Sequence, residues 1–152
     1  MRLKYRLANT ADAIALAQLR SSGWGTEDYW VPRILGYMQG KNHPQLALLP
    51  RVLYVAADGD EVVGFVAGHL TRRFDCQGEL EWIDVAAEYR RRGIGTELVL
   101  LLAKWFDGQG ANKVCVDPGN EHARKFYTAL SAENLDAHWM YWNDISTILK
   151  NP

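Results

Sequence analysis

The chain is poor in residues that cross-link or interrupt a fold, with two cysteines and five prolines among 152 residues. Cys76 and Cys115 stand far apart and match neither a disulfide framework nor a CxxC metal pattern, so we expect buried thiols in a reducing, cytoplasmic compartment. Apolar runs such as residues 98–103 are far shorter than the ~20 residues that a membrane span requires. Residues 1–5 lack the apolar core of a signal peptide, so we expect a soluble protein.

Neither sign of charge is in excess, because 17 lysines and arginines face 18 aspartates and glutamates and leave a net charge of −1. This balance gives no general attraction to nucleic acid or anionic lipid, so we expect neither as a partner. Internal repeats, low-complexity tracts and breaks in composition are also missing. We therefore expect one domain over residues 1–152, with a homodimer left open.

Several catalytic motifs are missing as well. The four histidines show no paired spacing such as HExxH, and no cysteine lies at ligand spacing from them, so we expect no metal. Ser21 and Ser22 do not lie in a GxSxG elbow, which argues against a serine hydrolase.

Periodicity divides the chain into strands and helices. Strand-like runs occupy residues 2–7, 52–57, 62–70, 79–85, 113–116 and, as one or two strands, 135–142. Helical spacing occupies residues 14–19, 27–38, 94–105 and 123–130. Asp58-Gly59 predicts an antiparallel hairpin, whereas the order strand, helix, strand over residues 79–116 requires a right-handed parallel crossover. We therefore predict a mixed α/β fold.

The loop between the fourth predicted strand and the next helix carries the most functional information. Three arginines follow the strand that ends at Val85, and Gly93 and Gly95 then open the helix. Several backbone N–H groups therefore converge where a helix dipole is positive, which is typical of an anion site. The arginines indicate a ligand more highly charged than one carboxylate.

Spacing separates the alternatives for this ligand. A P-loop needs a lysine after its second glycine, and Gly95 is followed by Thr96. A dinucleotide site agrees better, because Asp117 ends the next strand at a suitable distance for a ribose contact. However, its third glycine position holds Leu98, and seven residues separate Val85 from Gly93.

Two motifs resemble the GNAT superfamily of acyl-CoA-dependent N-acyltransferases. Residues 90–95, Arg-Arg-Arg-Gly-Ile-Gly, are similar to its signature of Gln or Arg, two residues, Gly, one residue, then Gly or Ala. Residues 120–127, Asn-Glu-His-Ala-Arg-Lys-Phe-Tyr, resemble the Asn-x-x-Ala-x-x-Phe-Tyr pattern of the helix after the next strand. The order of elements over residues 2–142 also agrees, whereas Ser131 departs from the glycine that many members have there.

The resemblance implies a mostly antiparallel mixed sheet, with a central parallel pair splayed around the cofactor and helices on both faces. It implies acetyl-CoA as co-substrate, with acetyl as the default acyl group and the pyrophosphate on the N–H groups of residues 91–96. The pantetheine arm would add to the strand of residues 79–85, and the backbone N–H near Val85 would polarise the thioester. Its cofactor contacts are Ile83, Val85, Arg90, Arg91, Arg92, Gly93, Ile94, Gly95, Thr96 and Asn120.

Acyl transfer to an amine needs a base, because a lysine-like amine has a pKa of about 10.4. Two-residue spacing puts Glu79 and Glu81 on one face of their strand, together with Ile83 and Val85. The resemblance favours Glu79, which precedes Arg90 by eleven residues as the catalytic Glu does in the histone acetyltransferase branch. Both remain candidates, with solvated strand residues as the alternative. The resemblance also makes Tyr127 the general acid, with a core tyrosine as its alternative.

The acceptor is less well defined by the sequence. Trp24 and Trp30 are candidate acceptor contacts, and Glu27 and Asp28 could attract a cationic amine. Trp139 and Trp142 are interpreted as strand packing or a dimer surface. The predicted function is acetyl transfer to a primary amine of a small molecule or peptide; a non-catalytic acyl-CoA-binding module and an NAD-type enzyme are the alternatives.

Overall fold

The computed structural model describes residues 2–150, which form seven strands and four α-helices. The strands are β1 (Leu3–Leu7), β2 (Ala47–Asp58), β3 (Glu61–Thr71), β4 (Gly78–Val85), β5 (Val114–Val116), β6 (Glu133–Asn134) and β7 (Met140–Trp142). The helices are α1 (Ala13–Ser21), α2 (Glu27–Met38), α3 (Ile94–Gly108) and α4 (Glu121–Ala129). Short 3₁₀ turns lie at Thr10–Asp12, Arg73–Asp75, Ala87–Tyr89 and Ile145–Lys150.

The seven strands form one sheet in the order β1-β2-β3-β4-β5-β7-β6. Every neighbouring pair is antiparallel except β4 and β5, which run parallel and are joined by α3. The predicted mixed fold is therefore confirmed. The predicted strand over residues 135–142 is confirmed only at its end, because Asp136 accepts hydrogen bonds from the backbone N–H groups of His138 and Trp139 and forms a turn there.

Helices cover both faces of the sheet, as expected. On one face, Leu16 of α1 and Ile34 of α2 are fully buried against Phe65 of β3. On the other, α3 buries residues at helical spacing, among them Leu98 and Leu102, together with the aromatic residues of α4. No helix in the described part of the chain is long and apolar enough to cross a membrane.

A β-bulge in β4 changes which way its side chains point. Trp82 pairs with Ala67 of β3, whereas Gly68 pairs with Leu80, so Glu81 is an extra residue without its own partner. As a result, the odd-numbered side chains before Glu81 and those after it point to opposite faces of the sheet. The expectation that Glu79 and Glu81 share a face with Ile83 and Val85 was therefore wrong.

The two faces of β4 are identified by their neighbours. Glu79 pairs with His69, which contacts Tyr37 of α2, so its side chain lies on the face covered by α1 and α2. Ile83 and Val85 instead pack into the core beneath α3. A strict two-residue period cannot hold across a bulge, because the extra residue reverses the phase of the strand beyond it.

Strands β4 and β5 diverge after a short stretch of pairing. Only residues 78–80 of β4 have partners in β5, and these are residues 114–116. The chain leaves β5 at Asp117, and residues 82–85 of β4 continue with β3 as their only partner among the described strands. The resulting fork is the splayed parallel pair that the family resemblance implied, and it exposes one edge of β4.

Ser131 occupies a position that favours glycine. It follows the C-terminal end of α4 with φ 73°, a left-handed conformation that a residue with a Cβ adopts at a cost of roughly 1–2 kcal/mol. This geometry explains why a glycine at this position suits the fold.

We predict that Ser131→Gly raises the free energy of unfolding by about 0.5–1 kcal/mol, because relief of strain exceeds the entropy gained by the unfolded chain. Urea denaturation measures the change. Lys125→Gly, on the exposed side of α4, is the control and lowers stability by about 1 kcal/mol. A loss of stability in Ser131→Gly would contradict the assigned backbone strain.

Candidate functional site

A cleft of about 400 Å³ opens on the α1 and α2 face of the sheet, where β4 and β5 diverge. Its charged lining comes from four separate parts of the chain and consists of Arg20, Arg73, Glu79, Glu81 and Asp117. Trp82 and Trp139 add aromatic surface. The β4 bulge brings Glu81 and Trp82 to this cleft together, because adjacent residues at a bulge do not alternate regularly.

Both arginines of the cleft are paired with carboxylates. The Nε atom of Arg73 lies 3.0 Å from Glu79 Oε1, and a terminal nitrogen of Arg20 lies 3.0 Å from Asp84 Oδ2. Within residues 2–150, neither Glu81 nor Asp117 forms a salt bridge. The lining therefore retains negative charge, which suits a cationic amine.

The two glutamates of β4 converge, but their environments push their protonation in opposite directions. Burial favours the neutral carboxyl of Glu79, yet the nearby His69 and the hydrogen bond and charge of Arg73 keep its pKa below the usual value. Burial and the nearby charge of Glu79 raise the pKa of Glu81 to about 7, against the opposing effect of Arg20 and Arg73. Glu81 can thus change protonation near neutral pH.

Burial also decides against the solvated alternative for Glu79. Its residue exposure is 4%, and its Oε1 atom accepts hydrogen bonds from Arg73 Nε at 3.0 Å and Thr71 Oγ1 at 3.4 Å. An acid held by two donors is fixed in place and kept ionised. The charge of Glu79 is therefore placed to raise the pKa of Glu81.

Tyr127 is both a core residue and a neighbour of the fork. Its exposure is 3%, and its ring packs edge-on against Trp142 with the centroids 5.8 Å apart. Burial, and then the negative charges of Asp84 and Asp117, raise the pKa of Tyr127, which Arg20 partly offsets. The phenol therefore keeps its proton, next to the carboxylates at the diverging ends of β4 and β5.

The glycine loop has the geometry of an anion cradle. Arg91 and Gly93 adopt positive φ angles of 63° and 80° before α3 begins. Glu97 is the residue whose N–H first reaches back to Gly93, at 3.0 Å, so the preceding N–H groups of the first turn have no intrahelical acceptor. A Cβ on Gly93 would meet no atom within 4 Å, so the space beside it is open.

Arg90 fastens this loop to the end of β4, because its Nε donates to the carbonyl of Val85 at 3.2 Å. Gly95 joins the loop to α4, since a Cβ there would lie only 3.3 Å from Phe126 Cζ. Asn120 begins α4 by accepting a hydrogen bond from Ala123 N at 2.8 Å and so caps the helix. Contacts of these residues with a cofactor stay predictions.

The four residues predicted to contact the acceptor lie away from the cleft lining. Trp30 has an exposure of 4% and packs behind Trp82, with ring centroids 5.9 Å apart. Trp24 is 57% exposed and stacks on the rings of α2, whose first turn contains the exposed Glu27 and Asp28. Their role in acceptor binding stays a prediction.

Sequence reasoning missed several residues of the cleft. Trp139 was interpreted as strand or dimer packing, but it lines the cleft with the Arg73 guanidinium 4.6 Å from its ring centroid. Trp142 does pack in a strand and is 2% exposed. Trp82 and Asp84 lie two residues apart in β4, and this spacing is a local signal that they share a face of the strand. No local pattern indicates that Arg20 or Arg73 belongs to the site.

The fork and the glycine cradle define a class of proteins, the CoA-dependent acyltransferases. Residues 13–131 match the family described as Acetyltransferase (GNAT) family, which is well over half of the chain. The chain therefore belongs to the GNAT acetyltransferases. This confirms the resemblance carried by the two sequence motifs. No curated protein sequence matches the chain significantly.

Solved structures share the fold at low sequence identity. An aminoglycoside 6′-N-acetyltransferase complexed with coenzyme A is 20% identical, covers 95% of this chain and 97% of its own, and has a TM-score of 0.73. PaiA N-acetyltransferase from Thermoplasma acidophilum, in complex with coenzyme A, is 17% identical. The match covers 93% of this chain and 97% of PaiA, with a TM-score of 0.68. A GNAT acetyltransferase from Brucella melitensis, in complex with acetyl-CoA, is 16% identical. The match covers 92% of this chain and 86% of the Brucella protein, with a TM-score of 0.65.

We predict that Gly93→Val weakens coenzyme A binding at least about tenfold, because a β-branched side chain strains the left-handed backbone and fills the open space of the cradle. Gly110→Val is the matched control, since Gly110 has φ 75° and an equally open surrounding beyond the far end of α3. Calorimetry measures both affinities. Equal affinities in the two variants would show that residues 90–96 do not hold the cofactor.

Proposed function

We propose that this protein transfers an acetyl group from acetyl-CoA to the primary amine of a small cationic acceptor, with Glu81 as general base and Tyr127 as general acid. Acetyl-CoA supplies an activated acyl thioester. One observation carries the proposal: Glu81 is a half-buried cleft carboxylate with a pKa of about 7, next to the ionised Glu79. A base with this pKa is well matched to catalysis at neutral pH.

The cradle and the fork have separate roles in holding the co-substrate. Backbone N–H groups of residues 91–96 bind the pyrophosphate at the start of α3, where the helix dipole favours an anion. The unpaired edge of β4, which carries Ile83 and Val85, accepts the amide-bearing arm as an added strand. The thioester then lies at the fork, near the cleft glutamates.

Glu81 prepares the nucleophile. Its carboxylate accepts a proton from the acceptor ammonium, and the free amine then forms a bond to the acyl carbon as the carbon–sulfur bond breaks. Because Glu79 is held ionised by Arg73, its charge raises the proton affinity of Glu81. Protonated Glu81 afterwards releases its proton to water through the open cleft.

Tyr127 completes the proton balance by donating its phenolic proton to the departing sulfur. Its buried hydroxyl is kept neutral by the negative charges of Asp84 and Asp117, as an acid must be before it acts. The amine nitrogen loses a second proton when it becomes an amide, and this proton returns the phenolate to the neutral phenol. Asp84 is itself fixed by Arg20, so its field at Tyr127 is constant.

The cleft lining supports a small, positively charged acceptor. Glu81 and Asp117 carry charge that no arginine of the described chain neutralises, and Trp82 and Trp139 offer aromatic faces to a cation. Two of the structural neighbours are aminoglycoside N-acetyltransferases, which act on small-molecule amines of this charge. The volume of about 400 Å³ suits such a ligand better than a folded protein.

We predict that kcat/KM rises with pH and is half-maximal near pH 7, because Glu81 must be ionised to accept a proton. Glu81→Gln removes this acid limb and lowers kcat/KM at pH 7 by about two orders of magnitude. Thiol release across a pH series measures both effects. Glu133→Gln, exposed in β6, is the control; a limb that persists in Glu81→Gln excludes Glu81 as the base.

We predict that Tyr127→Phe keeps coenzyme A affinity but slows turnover by about two orders of magnitude, because only the proton donor is lost. Tyr141→Phe in β7 is the matched control and changes neither property. Single-turnover thiol release and calorimetry provide the readouts. Unchanged turnover in Tyr127→Phe removes this residue from the mechanism.

A panel of amines distinguishes an enzyme from a CoA-binding module without catalysis. Polyamines, aminoglycosides, amino acids and lysine peptides are incubated with acetyl-CoA, and free thiol is measured. An enzyme releases thiol with at least one amine, and by charge we expect the polycations to react. A protein that binds acetyl-CoA and releases no thiol with any member is the binding module.

A further inference from the structure

His69 is a buried polar residue that the proposed reaction does not use. It lies in β3 directly opposite Glu79 of β4 and has an exposure of 0%. Its Nδ1 atom lies 2.8 Å from the Tyr37 hydroxyl. Its Nε2 atom has no hydrogen-bond partner among the described residues, and Glu79 Oε1 lies 3.8 Å from it. A buried ring nitrogen left in this way requires an explanation.

The Tyr37 hydroxyl is the hydrogen-bond partner of the His69 ring at Nδ1. Tyr37 is 1% exposed, and burial together with the charge of Glu81 holds its pKa well above the usual range, so the hydroxyl keeps its hydrogen. When this hydroxyl donates to Nδ1 of His69, the proton of the neutral ring resides on Nε2. The Nε2–H then faces the carboxylates of β4, which are acceptors.

The opposite tautomer places a lone pair against negative charge. Donor atoms of His69, Glu79 and Glu81 all lie within 4.8 Å of one another, so an unprotonated Nε2 would face two carboxylates at close range. Such an arrangement is unfavourable in a buried setting, where charges are weakly screened. The carboxylates therefore select the tautomer in which Nε2 carries the proton and the Tyr37 hydroxyl donates to Nδ1.

Among the other ionisable groups around the two carboxylates, both arginines already have carboxylate partners. The set that acts on Glu79 and Glu81 comprises Arg20 of α1, Tyr37 of α2, His69 of β3, Arg73 of the following turn, and the thiols Cys76 and Cys115. Arg73 is bound to Glu79 and Arg20 to Asp84. The donor of His69 is the one left for the carboxylate pair.

We propose that His69, oriented by Tyr37, is a positioning residue that presents an Nε2–H to the Glu79 and Glu81 carboxylates and so keeps Glu81 available as a base. This inference rests on the proposed function of Glu81. His69 acts through the carboxylates and does not touch the acceptor. Loss of its donor disfavours the state in which both glutamates are ionised, so Glu81 holds its proton to higher pH.

The same three side chains could also ligate a metal ion, but Arg73 argues against this arrangement. Its guanidinium occupies the Glu79 oxygen that faces His69, at 3.0 Å, and adds a positive charge beside the cluster. Repulsion between this charge and a divalent cation weakens binding. A zinc ion bound to Nε2 would take the place of its proton, so zinc binding to this cluster would overturn the proposal.

The first test is an NMR titration of the full chain labelled with ¹⁵N-histidine and ¹³C-glutamate. We expect the spectrum of an Nε2–H tautomer for His69 and a Glu81 midpoint near pH 7. In His69→Met the Glu81 midpoint rises by about one pH unit, which is a tenfold change in proton affinity. In His69→Gln, whose amide places a donor near the former Nε2, the midpoint stays within about 0.3 unit of the wild type.

Tyr37→Phe tests the tautomer without altering His69. Removal of the hydroxyl allows the ring proton to move to Nδ1, so we expect a mixed tautomer signal and an upward shift of the Glu81 midpoint. Melting temperature and coenzyme A affinity verify the fold of each variant. If His69→Met does not fold, Tyr37→Phe and His69→Gln decide. An unchanged tautomer and midpoint in Tyr37→Phe overturn the proposal.

The pH profile of kcat/KM separates this proposal from the one on which it rests. We expect the acid limb to move upward in His69→Met by the same amount as the NMR midpoint and to return in His69→Gln. A wild-type protein without transferase activity rejects the proposed function, and the NMR titration still decides the role of His69. A folded His69→Met with the wild-type midpoint rejects His69 as the positioning residue, even if the enzyme is active.

Discussion

The site depends on how β4 leaves its neighbour. Pairing with β5 stops after Leu80, and the bulge at Glu81 falls at the same point. The first event leaves one edge of β4 unpaired within the described residues, and the second turns Glu81 toward the cleft on the α1 and α2 face. Both sides of the sheet are packed by helices, so the strands cannot relax back into a regular ladder. The two binding surfaces are therefore held next to each other by the core.

Packing also connects the cradle to the fork. The close approach of Phe126 to Gly95 fixes α4 against the start of α3, and the next residue on α4, Tyr127, is thereby held in the core near Asp84 and Asp117. Arg90 closes the loop onto the carbonyl at the end of β4. The glycine motif and the Phe-Tyr motif thus form one physical unit, which is why they predict more together than either does alone.

Charge pairing gives the cleft its asymmetry. Arg73 fixes Glu79 in the ionised form, while burial and this neighbouring charge make Glu81 easier to protonate, so two carboxylates two residues apart differ in their protonation. Burial likewise favours the uncharged form of Tyr127 and keeps its phenol neutral. An ionised carboxylate and a neutral phenol are therefore both present near neutral pH.

The sequence by itself determined the features that depend on local geometry. Residues 90–96 predicted the cradle because a turn and a helix start are set by neighbouring residues, and the helical pattern of residues 27–38 predicted the helix Glu27–Met38. Only the tertiary structure decided the face of Glu79, because a bulge is produced by the pairing with β3 and leaves no mark in the strand's own pattern. It also brought Arg20, His69, Arg73 and Trp139 to the glutamates, since contacts between residues far apart in the chain arise from the packing of the sheet and helices and not from periodicity.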